Sequence, residues 1–243
     1  MRIFYSIGLM LFALSSCGIY RQNVTNVPLL SEKGQSQISG HFGANGYDGH
    51  VAYALSHNIA ILANYSFFNN KKESSSTNYT SEKHNFTEFG AGYYKKKETN
   101  TFFECFLIAG NGMTQRFVLG SNSVSGQTIP FTNFRKAYYN RFLIQSNFGY
   151  LDKKIEYAFS PRILLVHYYN ITDNSTSTFK QLPSTFLYSD ASLTLRYSLT
   201  TNIKISAQSS LTIPITGYKA GYFEASPINC SIGLTINFNL FKQ

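Results

Sequence analysis

Residues 227–241 have the sequence PINCSIGLTINFNLF, in which apolar and polar side chains alternate. The even positions from Ile228 to Leu240 are all apolar, and the odd positions from Asn229 to Asn239 are small or polar. A period of two places alternate side chains on opposite faces of a β-strand. Strands of soluble proteins commonly have ~5–6 residues, whereas a tilted strand needs ~9–11 residues to cross a bilayer. The stretch therefore predicts the closing strand of a transmembrane β-barrel.

Nine upstream segments show related patterns, and the connections between them alternate in length. The predicted strands span residues 35–43, 48–55, 59–68, 84–94, 101–110, 135–150, 154–168, 185–198 and 203–214. The short connections are residues 56–58, 95–100, 151–153 and 199–202, and the polar loops are residues 69–83, 111–134, 170–183 and 215–226. Short periplasmic turns and longer outer loops are typical of outer-membrane barrels. We therefore expect an all-β fold, an antiparallel up-and-down transmembrane β-barrel of ten strands. The first hairpin is short, which leaves eight strands as an alternative. Pro161 lacks the N–H that a ladder needs, so we expect a bulge there.

The composition is consistent with a barrel and excludes a helical membrane protein. Only 14% of the 243 residues are charged, against about 25% in an ordinary soluble domain. No segment after the N-terminal leader approaches the ~20 apolar residues of a spanning helix. Aromatic residues make up 16% of the chain and gather at predicted strand ends, for example at Tyr138-Tyr139 and Tyr168-Tyr169. Such rings suit membrane interfaces. In a soluble barrel, the alternative, they would form the core.

The N-terminus has the features of an export signal. Arg2 supplies a positive charge, residues 3–14 are mostly apolar, and Leu14-Ser15-Ser16-Cys17 follows. This motif resembles the bacterial lipobox, which implies cleavage before Cys17 and acylation of that cysteine, for example with palmitate. An ordinary signal peptide with an incidental cysteine is the alternative. We expect residues 1–16 to be a signal peptide, 17–34 a lipidated linker and 35–243 the barrel.

Charge and cysteine usage narrow the possible partners. The formal net charge is +9, and lysines cluster at residues 71–72, 95–97 and 153–154. These clusters suit solvated turns or contacts with lipid phosphates. No motif supports nucleic-acid binding. Cys105 and Cys230 are predicted to face outward on strands that are not neighbours, and no Cys/His group has zinc spacing. We expect no disulfide, metal or cofactor.

The predicted inward faces carry charged residues that must pair, because an unpaired buried charge costs several kcal/mol. We expect a structural ion-pair network that fills the lumen, with Glu104 and Glu156 next to arginines; a role in conduction or gating is the alternative. The members of this network are Glu88, Glu104, Arg141, Glu156, Arg162 and Arg196, with Lys204 nearby.

Catalysis has weaker support. Asp48 and His50 lie on one face near the predicted outer rim, and Asp190 points inward near the same rim. This arrangement faintly resembles the Asp/His arrangement of omptin proteases, but a second aspartate pair is missing. A barrel-mouth hydrolase is therefore kept only as the less favoured alternative, and we expect no catalytic residues.

Taken together, these features resemble the small outer-membrane β-barrel proteins of Gram-negative bacteria, here with a lipoprotein signal. The resemblance covers residues 35–241. It implies outer-membrane lipid and lipopolysaccharide as surroundings, and the barrel-assembly machinery as the partner that inserts the chain. We expect a non-enzymatic role, structural or in recognition through exposed loops, with a small pore or transport barrel as the alternative. An even number of strands places a lipid-anchored N-terminus on the periplasmic side.

Overall fold

A computed structural model describes residues 21–75, 78–97, 99–124, 127–152, 154–174, 185–216 and 227–239. The strands are β1 (Gln35–Gly43), β2 (Gly46–Ala54), β3 (Ile59–Ser75), β4 (Asn78–Lys96), β5 (Thr101–Val124), β6 (Gln127–Asp152), β7 (Ile155–Asp173), β8 (Thr185–Ser198), β9 (Ile203–Pro214) and β10 (Ile228–Asn239). Each pairs antiparallel with the next, and β1 pairs with β10 to close the barrel. The predicted ten-stranded up-and-down barrel is confirmed, including the first hairpin. No helix among these residues is long and apolar enough to span a membrane.

The apolar face of each strand is the outer surface of the barrel. On β10, Ile232 is 65% exposed and Leu234 is 45% exposed, whereas Thr235, which follows Leu234, is fully buried. The polar side chains of the strands therefore lie inside. A soluble barrel would require the opposite arrangement, with the aliphatic side chains at its centre. A continuous exposed apolar band of this kind is expected only where the solvent is lipid.

Four strands are much longer than the alternation predicted. Residues 69–83 and 111–134 were expected to be loops, but they mostly continue the ladders of β3–β4 and β5–β6, which reach Ser75 opposite Asn78 and Val124 opposite Gln127. The β3–β4 extension is mostly polar, and the β5–β6 extension mixes polar residues with apolar ones such as Phe117, Val118 and Phe131. The ladder hydrogen bonds need no apolar face, so hydrophobic alternation could not reveal them. The barrel thus has a short-turn rim and a long-hairpin rim.

Pro161 does not produce the expected bulge. The β6–β7 ladder has the same register on both sides of Pro161, although the pairs at that point are missing, and Pro161 still lies opposite Ala191 of β8. The register of this pair of strands shifts instead between Tyr138 and Tyr139. A missing N–H is therefore accommodated by a gap in one ladder.

The aromatic residues at the long-hairpin rim divide between two faces. Tyr169 is 52% exposed, but its neighbour Tyr168 is buried, and so are Tyr139 and Tyr188. Phe86 stacks on Tyr139 at 5.6 Å between ring centroids. Sequence clustering had assigned both members of such pairs to the membrane interface. Strand alternation sends one of each pair into the lumen, where it joins an internal aromatic cluster.

Candidate functional site: the occupied lumen

Residues 21–34 pass through the barrel as an extended segment, here called the lumen segment. Residues 22–30 are all buried, although they form no strand. The sequence predicts that residues 17–34 are a lipidated linker, and the structure buries residues 22–30 of this stretch inside the barrel. Cys17 lies outside the described residues, so its acylation stays a prediction.

Backbone groups of the lumen segment are bonded by side chains of the wall. The amide of Gln208 accepts a hydrogen bond from the N–H of Thr25 at 2.6 Å and donates to the carbonyl of Thr25 at 3.0 Å. Gln145 donates to the carbonyl of Asn26 at 2.5 Å, and Gln37 donates to that of Pro28 at 2.7 Å. Buried peptide groups need such partners, because leaving them unpaired costs about as much as a lost hydrogen bond. The wall therefore supplies what a neighbouring strand otherwise would.

Side chains of the lumen segment join the charged groups of the wall. Gln22 donates to Asp190 at 2.6 Å. Asn23 donates to Glu88 at 3.1 Å and accepts a hydrogen bond from Arg141 at 2.9 Å. The amide of Asn23 thus bridges an acid and a base, which matches its one acceptor and its donor group.

Apolar side chains fix the segment near the short-turn rim. Val27 and Leu29 pack against Phe102 and Ala158 in a small buried cluster. Gly149 lies beside this cluster, and a Cβ atom there would come within 2.6 Å of a methyl carbon of Leu29. Contacts below 3.0 Å are too close for carbon atoms, so the absence of a side chain at Gly149 makes room for Leu29.

Glu88 and Arg141 form an ion pair across an intervening strand. Gly110 of β5 lies opposite Glu88 on one side and opposite Arg141 on the other. A Cβ at Gly110 would lie 2.6 Å from the Cβ of Glu88. The guanidinium of Arg141 reaches Glu88 over this gap and also lies 4.0 Å from the ring centroid of Phe86.

Two further charged groups lie within the wall. Arg162 pairs with Asp190, its register partner on β8. Glu156 binds Lys204 and lies 3.6 Å from Arg196. Arg196 also donates to the carbonyl of Val27 in the lumen segment.

Glu104 has different partners from those expected. It accepts hydrogen bonds from Asn147 at 2.7 Å and from the N–H of Leu30 at 2.8 Å, in place of an arginine. The register explains this, because Asn147 lies directly opposite Glu104 on β6. Glu88, Asp190 and Glu156 are thus bound by cations, whereas Glu104 is bound by neutral donors.

The residues considered for a hydrolase do not form an accessible site. Asp48 and His50 are buried in the lumen. Nδ1 of His50 lies 3.4 Å from Oγ of Ser39, and Asp190 is held by Arg162 and Gln22. Within the described ranges, no group of three His, Cys, Asp or Glu residues could hold a metal ion.

Sequence reasoning missed the lumen segment. Its polar residues, such as Gln22, Asn23 and Asn26, resemble a solvated linker, and the segment has no periodic pattern. The available signal lay in the wall, where Gln37, Gln145 and Gln208 face inward. Buried amide side chains need several partners. The NH2 group of each glutamine donates one hydrogen bond within the wall and a second one to a carbonyl of the lumen segment.

Comparisons with known proteins bear on the fold. The outer-membrane protease OmpT from Escherichia coli is similar with a TM-score of 0.51 and 10% identity, over 84% of this chain and 93% of that chain. The translocator domain of the autotransporter NalP from Neisseria meningitidis gives 0.47 and 10%, over 85% and 87%. Ail, the attachment invasion locus protein of Yersinia pestis, gives 0.35 and 12%, over 85% and 99%. No protein-family model and no curated protein sequence matches the chain.

This chain has the fold of Gram-negative outer-membrane β-barrels. Its barrel is closed, its outer face is apolar, and its backbone is similar to that of OmpT. At such low identity, the likeness carries no information about activity.

Proposed function

We propose that this protein is a non-enzymatic outer-membrane β-barrel lipoprotein that acts through its long hairpins, as a structural or recognition element. The observation that carries the proposal is the occupied lumen. Nine consecutive residues of the lumen segment, 22–30, are buried and bonded to the wall. A barrel filled in this way has no evident route for a solute, and its buried Asp48 and His50 offer a substrate no access.

The hairpins are the surfaces left for contact. β5 and β6 have 24 and 26 residues, more than twice the ~9–11 residues that cross a bilayer. Both therefore extend well beyond the membrane. Projecting segments held on a rigid scaffold are common sites of recognition. We assign these hairpins to the cell surface, because outer-membrane barrels have short turns on the periplasmic side.

The neighbours that the hairpins would meet first are lipid head groups. Lys71, Lys72 and Lys83 are exposed on the β3–β4 hairpin. Basic side chains near a membrane surface attract anionic groups. Lipopolysaccharide is therefore the partner we propose for this hairpin, and the barrel-assembly machinery is the partner we propose for insertion.

Single-channel recording in planar bilayers tests the occupied lumen. We expect the full-length barrel to give no steady conductance. Deletion of residues 22–30 should open a polar lumen and give a steady, ohmic conductance. A second variant, Gln145→Ala with Gln208→Ala, keeps the chain length and removes two wall amides that hold the segment; we expect it to give intermittent openings.

Folding of each variant is checked by circular dichroism and by the gel shift that heating gives intact barrels. Steady conductance of the unaltered protein would contradict the proposal and favour a small pore instead. That pore is the second candidate, because the lumen wall carries charged and amide side chains that water could solvate if the segment left.

A further inference from the structure

The two ends of the lumen segment lie at opposite rims of the barrel. At one end, Arg21 binds Glu82 and its guanidinium lies 3.8 Å from the ring centroid of Phe68. Both residues belong to the β3–β4 hairpin near the long-hairpin rim. At the other end, the N–H of Gly34 donates to the carbonyl of Ala54 at 2.9 Å, and Glu32 accepts from Asn239 at 2.7 Å. The chain therefore enters at the long-hairpin rim and leaves at the short-turn rim, where β1 begins.

The distance between the two rims is greater than the length of chain between Cys17 and Arg21. Phe68 lies eight residues along β3 from Ala60, which is the register partner of Ala54. At ~3.4 Å per residue this is about 27 Å along the strand. Cys17 precedes Arg21 by four residues, and four residues span at most about 14 Å. A lipid anchor at Cys17 cannot reach back to the short-turn rim.

We propose that the chain preceding Arg21 emerges at the long-hairpin rim, and that acyl chains on Cys17 insert into the membrane leaflet on that side. With the hairpins assigned to the cell surface, as the proposed function has it, this leaflet is the outer one. The N-terminus is then displayed at the surface after passing through the protein's own barrel. This is opposite to the periplasmic anchor that the even number of strands led us to expect.

Arg21 is held at this rim by more than one contact. Glu82, which binds Arg21, also lies 3.4 Å from Arg116 of β5. The next residue, Gln22, accepts hydrogen bonds at its carbonyl from Asn45 at 3.0 Å and Asn229 at 3.3 Å. Asn45 belongs to the β1–β2 turn, which lies at the same rim. The exit point is therefore fixed from several strands, so the chain before it starts from a defined place.

Thiol labelling of intact cells tests the proposal. The parent is the full chain with Cys105→Ser and Cys230→Ser, which sets the background. Single cysteines are then introduced by Tyr20→Cys next to the exit point, Lys72→Cys on the long hairpin and Thr201→Cys in a short turn. A membrane-impermeant maleimide is applied before and after permeabilisation. We expect Tyr20→Cys and Lys72→Cys to be labelled in intact cells, and Thr201→Cys to be labelled only after permeabilisation.

The outcomes separate this proposal from the proposed function. Labelling of Tyr20→Cys only after permeabilisation, together with Thr201→Cys, would overturn the emergence at the long-hairpin rim, while the conductance result would still stand. If Lys72→Cys were the protected site, the assignment of the hairpins to the cell surface would be overturned.

Cross-linking supplies a readout that does not depend on access of the label. In the same parent, Arg21→Cys with Glu82→Cys should be joined by a short bis-maleimide, and Arg21→Cys with Thr201→Cys should not. The reverse result would overturn the direction of the segment. Incorporation of an alkyne-tagged fatty acid, lost in Cys17→Ser, tests the anchor itself; no incorporation in the unaltered chain would overturn that part.

Discussion

At the scale of single residues, the Glu88–Arg141 pair depends on a glycine between its partners. The two charges are fully buried and belong to strands that are not adjacent. Gly110 lets the Arg141 side chain cross β5 to reach Glu88. Since each charge has lost its water, the pair is stable only while both members are present.

Removing one member of this pair should be strongly destabilising. We expect Glu88→Gln or Arg141→Met alone to lower the free energy of unfolding by about 3–5 kcal/mol, because a buried charge then stays unpaired. The double variant should lose much less than the sum of the two. Urea unfolding of the barrel in lipid vesicles measures this.

Arg116→Gln is the matched control. Arg116 of β5 is the register partner of Glu82 of β4, and both side chains retain access to water. Its loss should cost less than ~1 kcal/mol, as for surface pairs in general. Equal losses at Arg141 and Arg116 would contradict the view that the buried network supports the lumen.

At the scale of one element, β10 shows how far alternation alone decides orientation. Leu234 lies in the middle of the strand, opposite Gly40 on one side and Ile205 on the other. Its side chain faces outward, whereas Thr235 faces the lumen. The sequence predicted this orientation, because only one assignment of the two faces matches an apolar exterior and a polar interior.

A charge at Leu234 should therefore meet lipid. We expect Leu234→Arg to lower the free energy of unfolding by roughly 2–4 kcal/mol in bilayers, the range for arginine near the membrane midplane. Leu234→Ala serves as the control, since it removes apolar surface without adding charge, and should cost clearly less. A barrel that tolerates arginine here as well as alanine would contradict the membrane-facing assignment.

The hairpin extensions were less predictable than β10. Residues such as Asn69, Lys71 and Lys72 are polar and exposed, and Lys71 and Lys72 lie on opposite faces of the ladder. Their pairing continues because each strand extends a partner that is already aligned by the barrel. Hydrophobic alternation in a sequence reflects the burial of one face of a strand, and these residues have no buried face.

At the scale of the whole molecule, the lumen segment links strands that are far apart around the barrel. Thr25 is bonded to β9, Asn26 to β3 and β6, and Leu30 to β5. The segment therefore acts as an internal brace, that is, it holds distant strands together through hydrogen bonds. Its amide groups should become accessible to solvent only when the barrel itself unfolds. Such amides exchange with solvent at rates set by the opening free energy.

Hydrogen exchange tests this brace. We expect the amides of Thr25 and Leu30 to exchange about as slowly as those of the central strands. Gln208→Ala should speed up exchange at Thr25 by at least tenfold, because it removes the acceptor of that N–H, while Leu30, which is bonded to Glu104, should change much less. Fast exchange at both positions in the unaltered protein would argue against an occupied lumen.

Alternation along the chain was enough to predict an antiparallel barrel of ten strands, with eight as the alternative, and an apolar face of each strand that meets lipid. Alternation is a local property, so neighbouring residues were enough to decide it. The position of residues 21–34 became clear only from the folded barrel. Their partners lie as far away as residue 239, and each contact is a single amide or charge with no periodic signature. An extended polar chain is stable inside a barrel only when residues from many strands bond to it at the same time. Those residues are far apart in the sequence and come together only when the barrel folds.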